Sequence, residues 1–242
     1  MCHRQYLLMI LFVAFCSTSV WAIDEYRLED GAGEQNIGVT GGSANKATAW
    51  LNRFVIEAGK DTVTDVRIAF GDIPVGTPAT AYLWGDFNND GNPDDAFVID
   101  SSTDLVTNPN VLSSTNAFQT FNFPDTSFPI GTIIYAGVII DNYAQGKEPA
   151  RIDKDGNDSI PNYPPNNQSF IASQTSAGFA TVDPHNMPLA QLPLVPVTTA
   201  LGSDGTWLIR LNAYPEPSSL ALLGLAGLAL SQRRSGLCKR QL

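Results

Sequence analysis

The chain has 242 residues, 43% of them hydrophobic and 16% charged, and a formal net charge of −10. Only 14 residues are Lys or Arg, which argues against nucleic acid as a partner, because phosphate recognition needs clustered cations. The acidic balance suits a soluble surface protein or one that gathers divalent cations.

The chain opens on Arg4, an apolar stretch from Leu7 to Phe15, and Val20-Trp21-Ala22 with small residues at the −3 and −1 positions of a cleavage site. This predicts a secretory signal peptide over 1–22, removed after Ala22 by signal peptidase. Phe15 before Cys16 does not fit the small residue that lipidation of Cys16 needs, and Arg4 has no second arginine for twin-arginine export. The three cysteines, Cys2, Cys16 and Cys238, lie in segments expected to be removed. The mature region therefore has neither a disulfide nor thiolate chemistry, despite export. Five basic residues (Arg4, Arg233, Arg234, Lys239 and Arg240) lie in those end segments, so trimming takes the charge from −10 to about −15.

The body, 23–213, alternates with period two. Val66, Ile68 and Phe70 alternate with Asp65, Arg67 and Ala69, and Tyr82 and Trp84 with Ala81 and Leu83. Trp207, Ile209 and Leu211 face away from Thr206, Leu208 and Arg210. Further strands are expected over 49–58, 96–100, 117–123, 132–141 and 169–172. The run from Thr132 to Ile140 is almost wholly apolar, as a central strand covered on both faces would be. Turn signals at Pro74-Val75-Gly76, Asn108-Pro109-Asn110, Pro129-Ile130-Gly131 and Asp204-Gly205 separate the runs. The pattern predicts one all-β domain, a β-sandwich or jelly roll. The proline-rich stretches 153–167 and 181–196 read as long surface loops.

Asp86-Phe87-Asn88-Asn89-Asp90-Gly91-Asn92-Pro93-Asp94 fits D-x-N-x-D-G-x-x-D. Asp86, Asn88 and Asp90 place oxygens at alternate positions of a tight loop, Gly91 permits the turn, Asn92 offers a carbonyl, and Asp94 offers a direct or water-mediated ligand. Calcium needs six to eight such oxygens. Phe97 stands where an EF-hand has its bidentate Glu, and strands flank the loop, so it resembles the calcium loops between strands of bacterial β-repeats. Asp95 can supply a missing carboxylate. The competing reading is an Asx-rich turn whose carboxylates cap backbone amides without metal. Asp153-Lys154-Asp155-Gly156-Asn157-Asp158 is a weaker echo, read as a solvated loop.

Catalytic chemistry finds few candidates. The mature region has one histidine, His185, in a proline-rich stretch, and no nucleophile elbow. No pair of carboxylates is singled out for glycoside hydrolysis. Trp50, Trp84 and Trp207, with Tyr143 and Tyr163, form either a sugar-stacking platform or core; strand tryptophans more commonly pack inside.

The tail, 214–242, sets three elements in series: Pro215-Glu216-Pro217-Ser218-Ser219, an apolar run from Leu220 to Leu230, then Arg233-Arg234. The prolines stop the preceding strand, a serine can cap a helix over about 218–231, and the arginines form a basic flank. An apolar run this short spans a bilayer only if its polar flanks lie in the interface and the arginines snorkel. The alternative is an amphiphilic C-terminal helix packed on the domain.

These residues resemble the PEP-CTERM sorting signal, a bacterial tail recognised by the membrane protease-transpeptidase exosortase. The resemblance implies anchorage at the inner membrane, cleavage near Pro215, Glu216 and Pro217, and delivery to the cell surface or extracellular matrix. The body resembles a group of exported proteins sharing this tail, in Ala79 to Ile99, Pro149 to Asp153, Ser169 to Ala172 and Thr206 to Arg210. That group has no established activity. The expected function is a non-catalytic exported sandwich stiffened by calcium. The alternatives are a module binding extracellular polysaccharide and, third, a secreted hydrolase.

Overall fold

A computed structural model describes residues 23–39, 44–109, 117–154, 168–202 and 205–215. The expected signal peptide with Ala22, Tyr163 with most of the polar stretch around it, and the tail from Glu216 through Pro217, Arg233 and Arg234 lie outside the described residues.

The chain order is β1 (Asp24–Arg27), β2 (Gln35–Ile37), β3 (Asn45–Val55), β4 (Thr62–Asp72), β5 (Pro78–Gly85), β6 (Phe97–Leu105), β7 (Phe118–Ser127), β8 (Ile133–Tyr143), β9 (Glu148–Asp153), β10 (Ser169–Ser176), β11 (Leu192–Pro196), the short helix α1 (Val197–Leu201), β12 (Thr206–Trp207) and β13 (Ile209–Tyr214). The 3-10 turns Pro93–Asp95 and Met187–Leu189 interrupt the loops. The strands form an all-β two-sheet sandwich. One sheet runs β11-β10-β3-β8-β5-β6; the other runs β1-β13-β4-β9-β12, with β7 beside β4 and β2 beside β9.

Period-two patterning builds the core between the sheets. Trp50 and Phe54 from β3, Val66, Ile68 and Phe70 from β4, and Ile134, Ala136, Val138 and Ile140 from β8 meet there with Trp207, Ile209 and Leu211. Trp50 and Phe70 pack edge to face at 6.2 Å, a favoured aromatic geometry. The expectation for β8 holds: it lies between β3 and β5, and its alternate residues Tyr135 and Ile139 belong to a second apolar cluster on the outer face. Gly137 sits opposite Leu51, where a Cβ would come within 2.3 Å of the Trp50 carbonyl oxygen.

That outer cluster corrects one expectation. The stretch 181–196 does not simply wander over the surface. Ala180, Val182, Met187 and Leu194 are buried against Ala49, Leu51, Trp84, Tyr135 and Phe170. The Trp84 indole donates to the Pro184 carbonyl at 2.9 Å, and Val182 N donates to Asp141 Oδ1 at 3.1 Å. The segment is a strap, because the outer face of the six-stranded sheet is too apolar to leave in water. β11, which the prolines disguised, is an edge strand, where proline is tolerated. β1 and β2, short and polar, also went unforeseen.

Two buried polar links fix the assembly. Asn52 donates to the Trp207 carbonyl at 2.8 Å across the sandwich and accepts from Ser169 Oγ at 2.6 Å. Glu29, fully buried, pairs with Arg210, whose guanidinium also lies over the Phe118 ring at 4.1 Å.

Candidate metal centre

β5 leaves its sheet at Gly85, and the chain folds through 86–92 into the 3-10 turn Pro93–Asp95 before β6 begins at Phe97. Pro93 opens that turn, and Asn92 caps it by accepting from Asp94 N at 3.2 Å. Asp86 organises the loop from below. It is 4% exposed, its Oδ1 accepts from Asn89 N at 2.8 Å and its Oδ2 from Gly91 N at 2.8 Å. Asn89 and Gly91 both adopt the left-handed region, at φ 58° and 81°. Gly, which lacks a Cβ, and Asn, with its short polar side chain, tolerate it best. Asn89 also pins the loop to β8, accepting from Ile133 N at 2.6 Å and donating to the Gly131 carbonyl at 3.2 Å.

Further Asx turns complete the loop. Asn88 Oδ1 accepts from Asp90 N at 3.0 Å, and Asp90 Oδ1 accepts from Asn92 N at 2.7 Å. The backbone-capping function expected of a metal-free loop is thus present, and it leaves carboxylate oxygens over. One oxygen each from Asp86, Asp90 and Asp95 lies within 4.8 Å of the others, with Asp86 buried and the other two exposed. Oxygens sharing one calcium at 2.3–2.6 Å can be no more than about 5.2 Å apart, so this set fits a hard cation. The donors are all oxygen, as calcium prefers.

Asp94 is not in the group; Asp95 is. A 3-10 turn rotates successive residues by about 120°, so neighbours cannot share one direction, and sequence spacing alone does not say which carboxylate turns inward. Asn88 also behaves differently from a simple oxygen ligand. Its Nδ2 donates to Asp90 Oδ2 at 3.0 Å and to Asp95 Oδ2 at 2.7 Å, the positive end of an amide bridging two carboxylates. A cation held there would displace that amide. Tyr135, beneath the loop, is fully buried, and its hydroxyl has no hydrogen-bond partner among the described residues. Burial raises its pKa well above the usual phenol range; the Asp86 charge adds to this, Arg53 offsets it, and Asp90 and Asp95 add further.

Of the two readings of the aromatic residues, those described take the core rather than the platform. Trp50, Trp84 and Trp207 are fully buried and Tyr143 is 4% exposed, its hydroxyl 2.6 Å from Thr48 Oγ1. Strand tryptophans on faces that are both covered have no route to a ligand. Among the described residues the large exposed aromatics are Phe87, at 79%, and Phe179, at 69%. Phe179 borders two clefts, one of about 570 Å³ with Thr77, Asp141 and Asn142 and one of about 360 Å³ with Gln174, Asp183 and Asn186. Asp141 has its pKa raised by burial, partly offset by hydrogen bonds from Val182 N and the Thr181 side chain. It and Asp183 open on different clefts. His185 is exposed, and its backbone N donates to Asp183 Oδ1 at 2.9 Å. Among the described residues no helix is long and apolar enough to cross a membrane.

Residues 215–235 match the PEP-CTERM protein-sorting motif. The chain therefore carries a C-terminal sorting signal of the kind processed by exosortase, which marks an exported, surface-destined protein. Among curated proteins none matches. A crystal structure of the cysteine protease and lectin-like domains of Cwp84, a surface layer associated protein of Clostridium difficile, is similar with a TM-score of 0.48 and 16% identity, over 80% of this chain and 36% of that chain.

Proposed function

We propose that this protein is a non-catalytic exported β-sandwich, held at the inner membrane by its tail and then released or transferred to the cell surface or matrix by cleavage near Pro215 to Pro217. The observation that carries this reading is where the described sandwich makes its last pairing. β13 makes its last pairing at Tyr214, opposite Thr62, and the sorting motif starts at Pro215. Cleavage there severs no described strand and removes no described core residue, so cargo and address label are separable. Deleting residues 216–242 should leave far-UV circular dichroism and melting unchanged while moving the protein out of the membrane and surface fractions. Unchanged fractionation refutes the reading.

Calcium at Asp86, Asp90 and Asp95 would hold the 86–96 loop against β8. Its role is structural: both oxygens of Asp86 already cap backbone amides. A second reading, a polysaccharide-binding module, is favoured by Phe179, an exposed ring between two clefts with polar walls. A glycan array on the wild type and Phe179→Ala separates it: binding lost on substitution supports the module, and no binding by the wild type removes it.

A further inference from the structure

The end of the sandwich from which the tail leaves is an apolar-tipped surface. Tyr214 lies opposite Thr62, Thr62 lies opposite Ser127, and the 128–132 turn follows directly. That turn is tied back by Phe128 N to the Asp61 carbonyl and by Gly131 N to the Ile56 carbonyl, both at 2.8 Å. Ile130 at its tip is 64% exposed, and Phe87 beside it is 79% exposed and stacked on Phe97 at 3.6 Å. Phe87 and Ile130 line the same cavity of about 360 Å³. Ile23, 63% exposed, precedes Asp24, which pairs with Ala213 at the same end, and Val55, 49% exposed, pairs with Ile133 there.

Chain length then limits where this end can be. Pro215 to Ser219 are the only residues between Tyr214 and the first residue of the apolar run, Leu220. Fully extended, that connection reaches at most about 20 Å, and the two prolines stiffen it. Exposed apolar side chains also occur at the opposite end, where Val75 is 67% and Phe179 69% exposed. Only the near end is leashed to the bilayer.

We propose that, while the tail is anchored, the sandwich rests on the lipid surface through Phe87 and Ile130, with Ile23 and Val55 beside them. The occupant is the interfacial zone of a bilayer, where exposed aromatic and aliphatic tips are stabilised by leaving water. The same end carries Asp24, Glu57, Asp90 and Asp95, with Lys60 paired to the first two, so its balance is acidic, and contact is strongest on uncharged lipid and weakens on anionic lipid. The clefts beside Phe179 then point away from the membrane, available to whatever lies outside.

This inference rests on the anchorage proposed above, and one experiment separates the two. The mature chain, residues 23–242 with Cys238 replaced by Ser, receives a single cysteine as Phe87→Cys, Ile130→Cys or Val75→Cys, labelled with an environment-sensitive fluorophore. Each is reconstituted into phosphatidylcholine vesicles containing headgroup-nitroxide lipid. The expected result is loss of fluorescence from positions 87 and 130 and none from 75. Vesicle flotation of the chain with equal fluorescence at all three positions overturns the docking and leaves the anchorage standing. A chain that does not float with the vesicles overturns both.

Discussion

Stripping calcium from the purified protein and adding it back tests the loop at Asp86 directly. Sites of this kind in extracellular modules hold calcium with dissociation constants of about 10⁻⁴ to 10⁻³ M. Among the described residues three carboxylates converge here, two of them exposed, so a calcium ion bound here is expected in that range. At a calcium concentration about 100-fold above the dissociation constant, linkage stabilises the native state by about 2.7 kcal/mol. For a domain of this size that raises Tm by about 5 to 10 °C. Asp90→Asn or Asp95→Asn should abolish the rise with little change in the calcium-free protein, because both residues are exposed. Asp94→Asn should keep it. Asp86→Ala should destabilise the protein with or without calcium by about 2 kcal/mol, since two part-buried amides lose a charged acceptor. Scanning calorimetry and isothermal titration read all of these. A flat titration of the wild type with an unmoved Tm refutes the metal site and leaves a loop of Asx turns. Loss of the rise in Asp94→Asn but not Asp95→Asn would refute the ligand assignment.

Other perturbations follow from the body. Arg210→Ala strands the fully buried Glu29, and should cost about 3–5 kcal/mol in urea unfolding; a loss near zero would mean that Glu29 finds water. Met187→Ala empties a 2%-exposed site under the strap, with an expected cost of at least about 2 kcal/mol, and no loss would show that the strap is not packed. Gly137→Ala drives a Cβ into the Trp50 carbonyl, so soluble expression should collapse; a well-folded variant contradicts the β3–β8 spacing. Tyr26 donates to the Lys60 carbonyl at 2.9 Å and accepts from Glu57 N at 2.8 Å. Burial, with the charges of Glu57, Asp61 and Asp24, pushes its phenol up from 10.0 to about 12, against the lowering bond from Glu57 N. The folded state holds that proton more tightly than the unfolded state, so the contribution is full below pH 10 and is lost as pH rises toward 12. Tyr26→Phe should flatten this slope in alkaline denaturation, and an unchanged slope refutes the assignment.

Much of the architecture was legible in local patterning. The two-residue period marked β4, β5 and β13, and the unbroken apolar run marked β8 as covered on both faces, because in a strand each face has its own every-other-residue list. The Asx spacing located the loop, since caps and turns are made with near neighbours. The sorting tail was legible for the same reason: it is read as a linear string of turn, apolar run and basic flank.

What local pattern could not decide is which surface each side chain meets. Trp50 and Trp84 sit on different faces of one sheet, and both are buried because the second sheet covers one face and the 181–196 strap covers the other. Nothing near either tryptophan in the chain announces those covers. Asp95 rather than Asp94 joins Asp86 and Asp90 because a single 3-10 turn sets the direction of each carboxylate. Strand period, turn chemistry and the tail belong to neighbours along the chain, and sequence alone determined them. Burial, ligand direction and the end from which the tail departs depend on partners tens of residues away, and only the folded sheets decided them.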